Sequence, residues 1–93
     1  MSNEIIASVW DAIEDNAVEA ENMKLRASLM MALDRHIRTK GWTQAEAARR
    51  LGVTQPRISD LLRGKITLFS IDTLVSMLTE AGLRVEMRVG EAA

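Results

Sequence analysis

The sequence predicts an all-α fold, a bundle of about five helices followed by one short C-terminal β-strand. Three observations predict it. Apolar residues recur at helical spacing along most of the chain. Capping and stop residues bracket these stretches. Strict alternation of apolar and charged residues occurs once, in Leu83-Arg-Val-Glu-Met-Arg-Val89, and reads as a strand. Ninety-three residues support one modest core. The expected divisions are an N-terminal amphipathic segment at 1–22, the main helical domain at 23–82, and a strand and tail at 83–93.

The first expected helix covers residues 3–15. Ile5, Ile6, Val9, Trp10 and Ile13 share a face, with Asp11, Glu14 and Asp15 opposite. The second runs from about Val18 to Lys40. Leu25, Leu29, Leu33 and Ile37 repeat every four residues, and Met30 widens the stripe. Arg35, Arg38 and Lys40 suit its C-terminus, and Gly41 suits the left-handed residue that ends it.

Thr43-Gln-Ala-Glu46 reads as a capping box, the Thr43 hydroxyl accepting the Glu46 amide and the Glu46 carboxylate reaching back to the Thr43 amide. The short helix it opens carries Ala45, Ala47 and Ala48 and closes at Gly52. Thr54 caps the next helix, where Pro56 falls in the first turn and Ile58, Leu61 and Leu62 form the buried face. Gly64 ends it. Ser70 caps the last helix, with Ile71, Leu74, Val75 and Leu78 facing inward and Gly82 as its stop. The methionines at 23, 30, 31, 77 and 87 read as core filler.

A lone strand leaves its amides and carbonyls unpaired. The expected strand, Arg84, Val85, Glu86, Met87, Arg88 and Val89, therefore calls for a partner. The economical one is the same strand of a second copy, giving an antiparallel ribbon across a twofold axis and a homodimer. Val85, Met87 and Val89 would cover the core while the charged residues face water. Pairing within the chain, near Ile5, or fraying is the alternative.

Composition narrows the function classes. There is no cysteine, so disulfides and thiolate metal sites are excluded, which suits a cytoplasmic protein. No apolar stretch approaches the roughly 20 residues of a membrane span, and residues 1–13 lack the pattern of a signal peptide. The net charge of −1 hides a strong asymmetry. Residues 1–34 hold seven acids against two bases, residues 35–65 eight bases against two acids, and residues 66–93 four acids against two bases. The positive segment surrounds the two short central helices, where a phosphate-binding surface would need it. His36 is the one histidine and reads as an exposed polar residue or a phosphate neighbour. No Gly-rich phosphate loop, metal-ligand set or catalytic constellation emerges. The expectation is no enzyme, no metal and no cofactor.

The run from Thr43 to Gly64 carries the function. Two helices cross steeply only where the contact is small and the turn sharp. Ala48 supplies the small side chain and Gly52 a backbone that accepts positive φ. Ile58 and Leu61 pin the second helix, leaving Gln55, Arg57, Ser59 and Asp60 largely outward. A helix held this way can enter the DNA major groove with its N-terminal end near the base edges.

This spacing resembles the helix-turn-helix of the Xre family, which includes the lambdoid phage repressors. The resemblance rests on Gln44-Ala-Glu-Ala-Ala48, Gly52, Thr54-Gln55, Ile58, Leu61 and Arg63-Gly64-Lys65. It implies a lambda-repressor-like DNA-binding domain. Over residues 20–90 the chain also resembles the HigA-like antitoxins, through the long preceding helix, the Gln44-Ala-Glu-Ala-Ala48 run, the Gln55-Pro-Arg-Ile-Ser-Asp-Leu-Leu-Arg-Gly-Lys65 run, Phe69-Ser70 and an expected terminal strand with Gly82, Leu83, Val85 and Val89 at fixed spacing.

The resemblance implies residue roles. Gln55 would pair with adenine, and Arg57 would reach a guanine or a phosphate. Ser59 and Asp60 would read bases a turn later, Asp60 accepting from a cytosine amine or pairing with Arg57 or Arg63. Pro56 would offer only apolar contact. Thr43, Gln44, Thr54, Arg63, Lys65 and Thr67 would hold the DNA backbone. The implied function is a sequence-specific repressor of its own operon, working as a dimer on a palindromic operator with recognition helices roughly 34 Å apart. The HigA-like likeness adds an antitoxin role toward a small, mRNA-cleaving toxin, with Ile6, Val9, Trp10 and Ile13 as a partner-binding face and nearby acids suiting a basic ribonuclease. Packing of that face on the chain's own core or on the dimer mate is the alternative. An orphan regulator with no toxin, or a toxin-neutralising module without strong DNA binding, are the competing functions. A neighbouring toxin gene separates them.

Overall fold

A computed structural model describes residues 3–91, with side chains from Asn16 onward. The elements are α1 (Asn3–Lys40), α2 (Gln44–Leu51), α3 (Gln55–Leu62), a 3-10 turn (Ile66–Leu68) and α4 (Ile71–Glu80). The two helices expected before Gly41 are one. The first 40 residues contain neither glycine nor proline, and the Ala17-Val-Glu-Ala-Glu-Asn-Met-Lys-Leu-Arg26 join is rich in strong helix formers. At 1.5 Å per residue α1 is about 57 Å long, which accounts for the 59 Å long dimension of the molecule. Residues 16–24 are exposed, and packing begins at Leu25. The apolar set Ile6, Val9, Trp10 and Ile13 lies outside the described side chains.

The core gathers one face from each helix. Met30, Leu33 and Ile37 of α1 meet Ala47, Ala48 and Leu51 of α2, Ile58 and Leu61 of α3, Phe69, and Leu74, Met77 and Leu78 of α4. Leu29, Trp42, Val53, Leu62, Ile66 and Leu83 close its margin. Met30 and Met77 fill the core as expected, but Met23, Met31 and Met87 are exposed. Their side chains lie outside the narrow stripe that α1 and the tail turn inward. Ala45 is exposed too, so of the three alanines of α2 only Ala47 and Ala48 are buried.

Local signals shape the turns. Gly41 adopts φ 67°, and the Trp42 N–H donates to the Ile37 carbonyl at 3.1 Å, closing α1 with a Schellman-type bond. Gly52 adopts φ 67° and ψ 33°, and its N–H donates to the Ala48 carbonyl. No atom lies within 4 Å of where a Cβ would stand on Gly52, so backbone strain is the only penalty of a side chain there. Gly52→Ala is expected to cost about 1–2 kcal/mol, read as a lower denaturant midpoint at unchanged slope.

The C-terminal strand is not there. Residues 83–91 carry no regular secondary structure, and no strand occurs among the described residues. Among the described residues the fold is therefore four α-helices and a 3-10 turn, not five helices and a dimerising strand. Alternation alone does not make a strand, because the backbone still needs a ladder to pair with. Leu83 and Val85 pack against the core edge, while Met87 and Val89 are 67% and 85% exposed. The inward half of the pattern serves side-chain packing and ends at Val85.

Candidate nucleic-acid interface

The interface is built on two eight-residue helices that are too short to be stable alone. Both are held by caps and by burial of one face. The Thr43 Oγ1 accepts the Glu46 N–H at 3.1 Å, and the Thr54 Oγ1 accepts the Arg57 N–H at 3.3 Å. Each cap satisfies one of the free amides of a helix start. Ile58 and Leu61 lie in the core, so α3 cannot roll.

The reciprocal half of the expected capping box is not made. The Glu46 carboxylate turns to Arg49 and Arg50 instead, at 2.7 Å to each. Two guanidiniums outcompete one neutral amide for the same oxygens. Hydrogen bonds from Arg49, then from Arg50, hold the Glu46 carboxyl below the ordinary glutamate range. A carboxyl lowered in the folded state adds stability above its unfolded pKa and loses it as pH falls through the folded value. An NMR titration should place the Glu46 midpoint below that of a free glutamate, and Arg49→Ala should raise it.

The sequence-predicted contact residues fall into three groups. Thr43, Gln44, Thr54, Gln55, Arg63, Lys65 and Thr67 are exposed. Arg57, Ser59 and Asp60 are half-buried. The tail residues Arg84, Glu86, Met87, Arg88 and Val89 are exposed, and Val85 is half-buried, on a segment that forms no strand. Asp60 pairs with Lys65, 3.3 Å away, and not with Arg57 or Arg63. The Lys65 N–H also donates to the Asp60 carbonyl at 3.1 Å, so the turn after α3 brings the ammonium back over the acid. Arg57 lies with its guanidinium 4.4 Å from the centre of the Phe69 ring, a cation–π distance.

The positive segment is less open than its charge suggests. Of its eight bases, Arg38, Arg49, Arg50 and Lys65 pair with carboxylates. Surface pairs of this kind are weak and exchangeable, so a phosphate can replace the carboxylate. Arg35, Lys40 and Arg63 make no ion pair among the described residues.

The sequence assigns no contact role to Trp42 or Phe69, yet each packs against a basic side chain. Phe69 is buried beneath Arg57. Trp42 takes Arg50 over its ring at 5.1 Å and the edge of His36 at 5.2 Å. His36 is thus half-buried, with a buried Nε2, and not the exposed residue expected.

Residues 12–90 match the helix-turn-helix domain family. A solved XRE family transcriptional regulator superposes with a TM-score of 0.73 at 32% identity, covering 80% of this chain and 83% of that one. The chain belongs to the helix-turn-helix domain family of XRE-type regulators. No curated protein matches it. In this XRE-type chain α2 and α3 are the two motif helices, Gly52 is their turn, and α3 occupies the recognition position. The described residues contain no cluster of three or more potential metal ligands, and no described helix is long and apolar enough to cross a membrane.

Proposed function

We propose that this chain is a sequence-specific DNA-binding repressor that reads the major groove with α3. One observation carries the reading. The first turn of α3 leaves Gln55 and Pro56 exposed while Ile58 and Leu61 lock its opposite face into the core. A polar helix start on an immobile helix is what groove reading needs. Gln55 and Ser59 read bases, with Asp60 available only when Lys65 lets it go. Thr43, Gln44, Thr54, Arg63, Lys65 and Thr67 hold phosphates. Residues 23–82 form the DNA-binding unit, from which the earlier part of α1 projects.

Two copies on a palindromic operator fit this reading. At about 1.5 Å per residue α3 is only about 12 Å long and reaches few base pairs, and a single module of this kind buries a limited surface. A mobility shift on the duplex upstream of the chain's own gene is the test. The expected result is a discrete complex at least about a thousandfold tighter than on random DNA. Equal affinity for both duplexes would reject sequence-specific repression.

The antitoxin reading is the second. It is supported by the exposed stretch 16–24 of α1, which carries Val18, 69% exposed, and Met23, 39% exposed, together with Glu19 and Glu21. Such an exposed apolar and acidic segment suits a basic protein partner. Co-expression with an adjacent short gene product should give a stable complex and relieve its toxicity. Growth arrest unrelieved by co-expression leaves the orphan regulator.

A further inference from the structure

Arg57 is ambiguous in the sequence, because an arginine at the start of a recognition helix suits either a guanine or a phosphate. The helix geometry separates it from the other polar residues. At about 100° per residue, Gln55 and Arg57 stand about 200° apart around the axis of α3. Pro56, Ser59, Asp60 and Arg63 fall in the arc opposite the buried Ile58 and Leu61. Gln55 borders that arc on one side and Arg57 on the other, one turn from Leu61. There the Arg57 guanidinium lies over the face of Phe69, itself 1% exposed and part of the core. Arg57 also lines an open polar cleft of about 620 Å³ together with Arg26, Thr67, Ser70 and the acidic Asp72. Arg26 is fixed by donating to the Ile66 carbonyl at 3.1 Å.

We propose that Phe69 is a positioning residue that assigns Arg57 to the DNA backbone and withholds it from the base edges. The assignment rests on the regulator reading above and sharpens it. A planar guanidinium can use its face and its edge at once. The face stacks on the ring while the in-plane N–H groups remain free for the two oxygens of a phosphate. Lysine has no such face. Arg57, beside Arg26, then contributes affinity and salt sensitivity, and base choice narrows to Gln55, Ser59 and Asp60.

The experiment uses the full chain and two duplexes of equal length: one enriched by the wild type from a random-sequence pool, the other of random sequence. Arg57→Ala is expected to weaken both in the same ratio, about tenfold. The slope of log K against log salt should become shallower by about 0.9 per bound protomer, about 1.8 for two copies on one operator, and the penalty of each single base-pair change should stay at its wild-type value. Phe69→Leu keeps an apolar core residue and removes the ring. In that background Arg57→Ala should cost less than about threefold, while Phe69→Tyr should bind as the wild type does. Arg57→Lys leaves the core untouched and decides the matter if Phe69→Leu fails to fold. It keeps the charge but is expected to bind both duplexes several-fold more weakly.

Three results would overturn the assignment: loss of discrimination at one base pair with the salt slope unchanged, an Arg57→Ala cost undiminished by Phe69→Leu, or wild-type affinity in Arg57→Lys. A wild-type chain that enriches no duplex defeats the regulator reading itself, which is a distinct outcome.

Discussion

Leu33→Ala is expected to cost about 2–5 kcal/mol of folding stability. Leu33 is fully buried, and it lies on the face of α1 that meets the other helices. The substitution removes apolar contacts and leaves a cavity that helices pinned on several sides cannot collapse to fill. For a chain of this length the total stability is on the order of 5–14 kcal/mol, so the loss is a large share of it. Because α2 and α3 have eight residues each, they depend on this packing to remain helical. Calorimetry should show a melting temperature lower by roughly 10 °C or more, with DNA binding lost over the same temperature range. A shift of only one or two degrees would place Leu33 outside the core that holds the motif.

Gln55→Ala is expected to cost about 1–3 kcal/mol of specific binding and almost nothing in stability. Gln55 is exposed at the first position of α3. It has carbonyl and amide groups to offer adenine at once, and alanine has neither. The check is an anisotropy titration on the preferred duplex and on a copy with one adenine replaced. The substitution should abolish the penalty of the base change at one position per half-site and leave it intact elsewhere. Equal weakening on random DNA would make Gln55 a backbone contact.

The helix-turn-helix was legible because its signals are local. Thr43, Thr54 and Ser70 cap their helices as the sequence predicts, and each accepts an amide three residues on. Gly52 takes the left-handed turn, and Ile58, Leu61, Leu74 and Leu78 are buried at the spacing that marked them. Membership of the XRE-type family follows from the same run. Continuity of α1 was less visible, since its two apolar stripes, at 3–15 and from about Val18, fall on either side of residues 16–17, and only helix propensity argues that the chain does not break there. The expected strand failed for the opposite reason. Its alternating pattern is local, but a strand exists only through a partner.

The candidate interface shows the same division. The sequence placed Gln55, Arg57, Ser59 and Asp60 on one short helix and marked Asp60 as an acid in need of a base. It offered Arg57, within the same helix, and Arg63, at its C-terminal cap. The partner is Lys65, beyond Gly64, because the turn after α3 folds the chain back within 3.3 Å. Glu46 likewise left the amide that the capping box offers for the two arginines one turn on.

By itself the sequence determined the helices of the motif, their caps, the glycine turn and the apolar faces that bury them, because each depends on residues within about one turn. The tertiary structure alone decided that residues 83–91 form no strand, that Arg57 rests on Phe69 and that His36 is covered by Trp42. These depend on which surfaces meet when separate segments pack, and neither periodicity nor composition encodes such meetings.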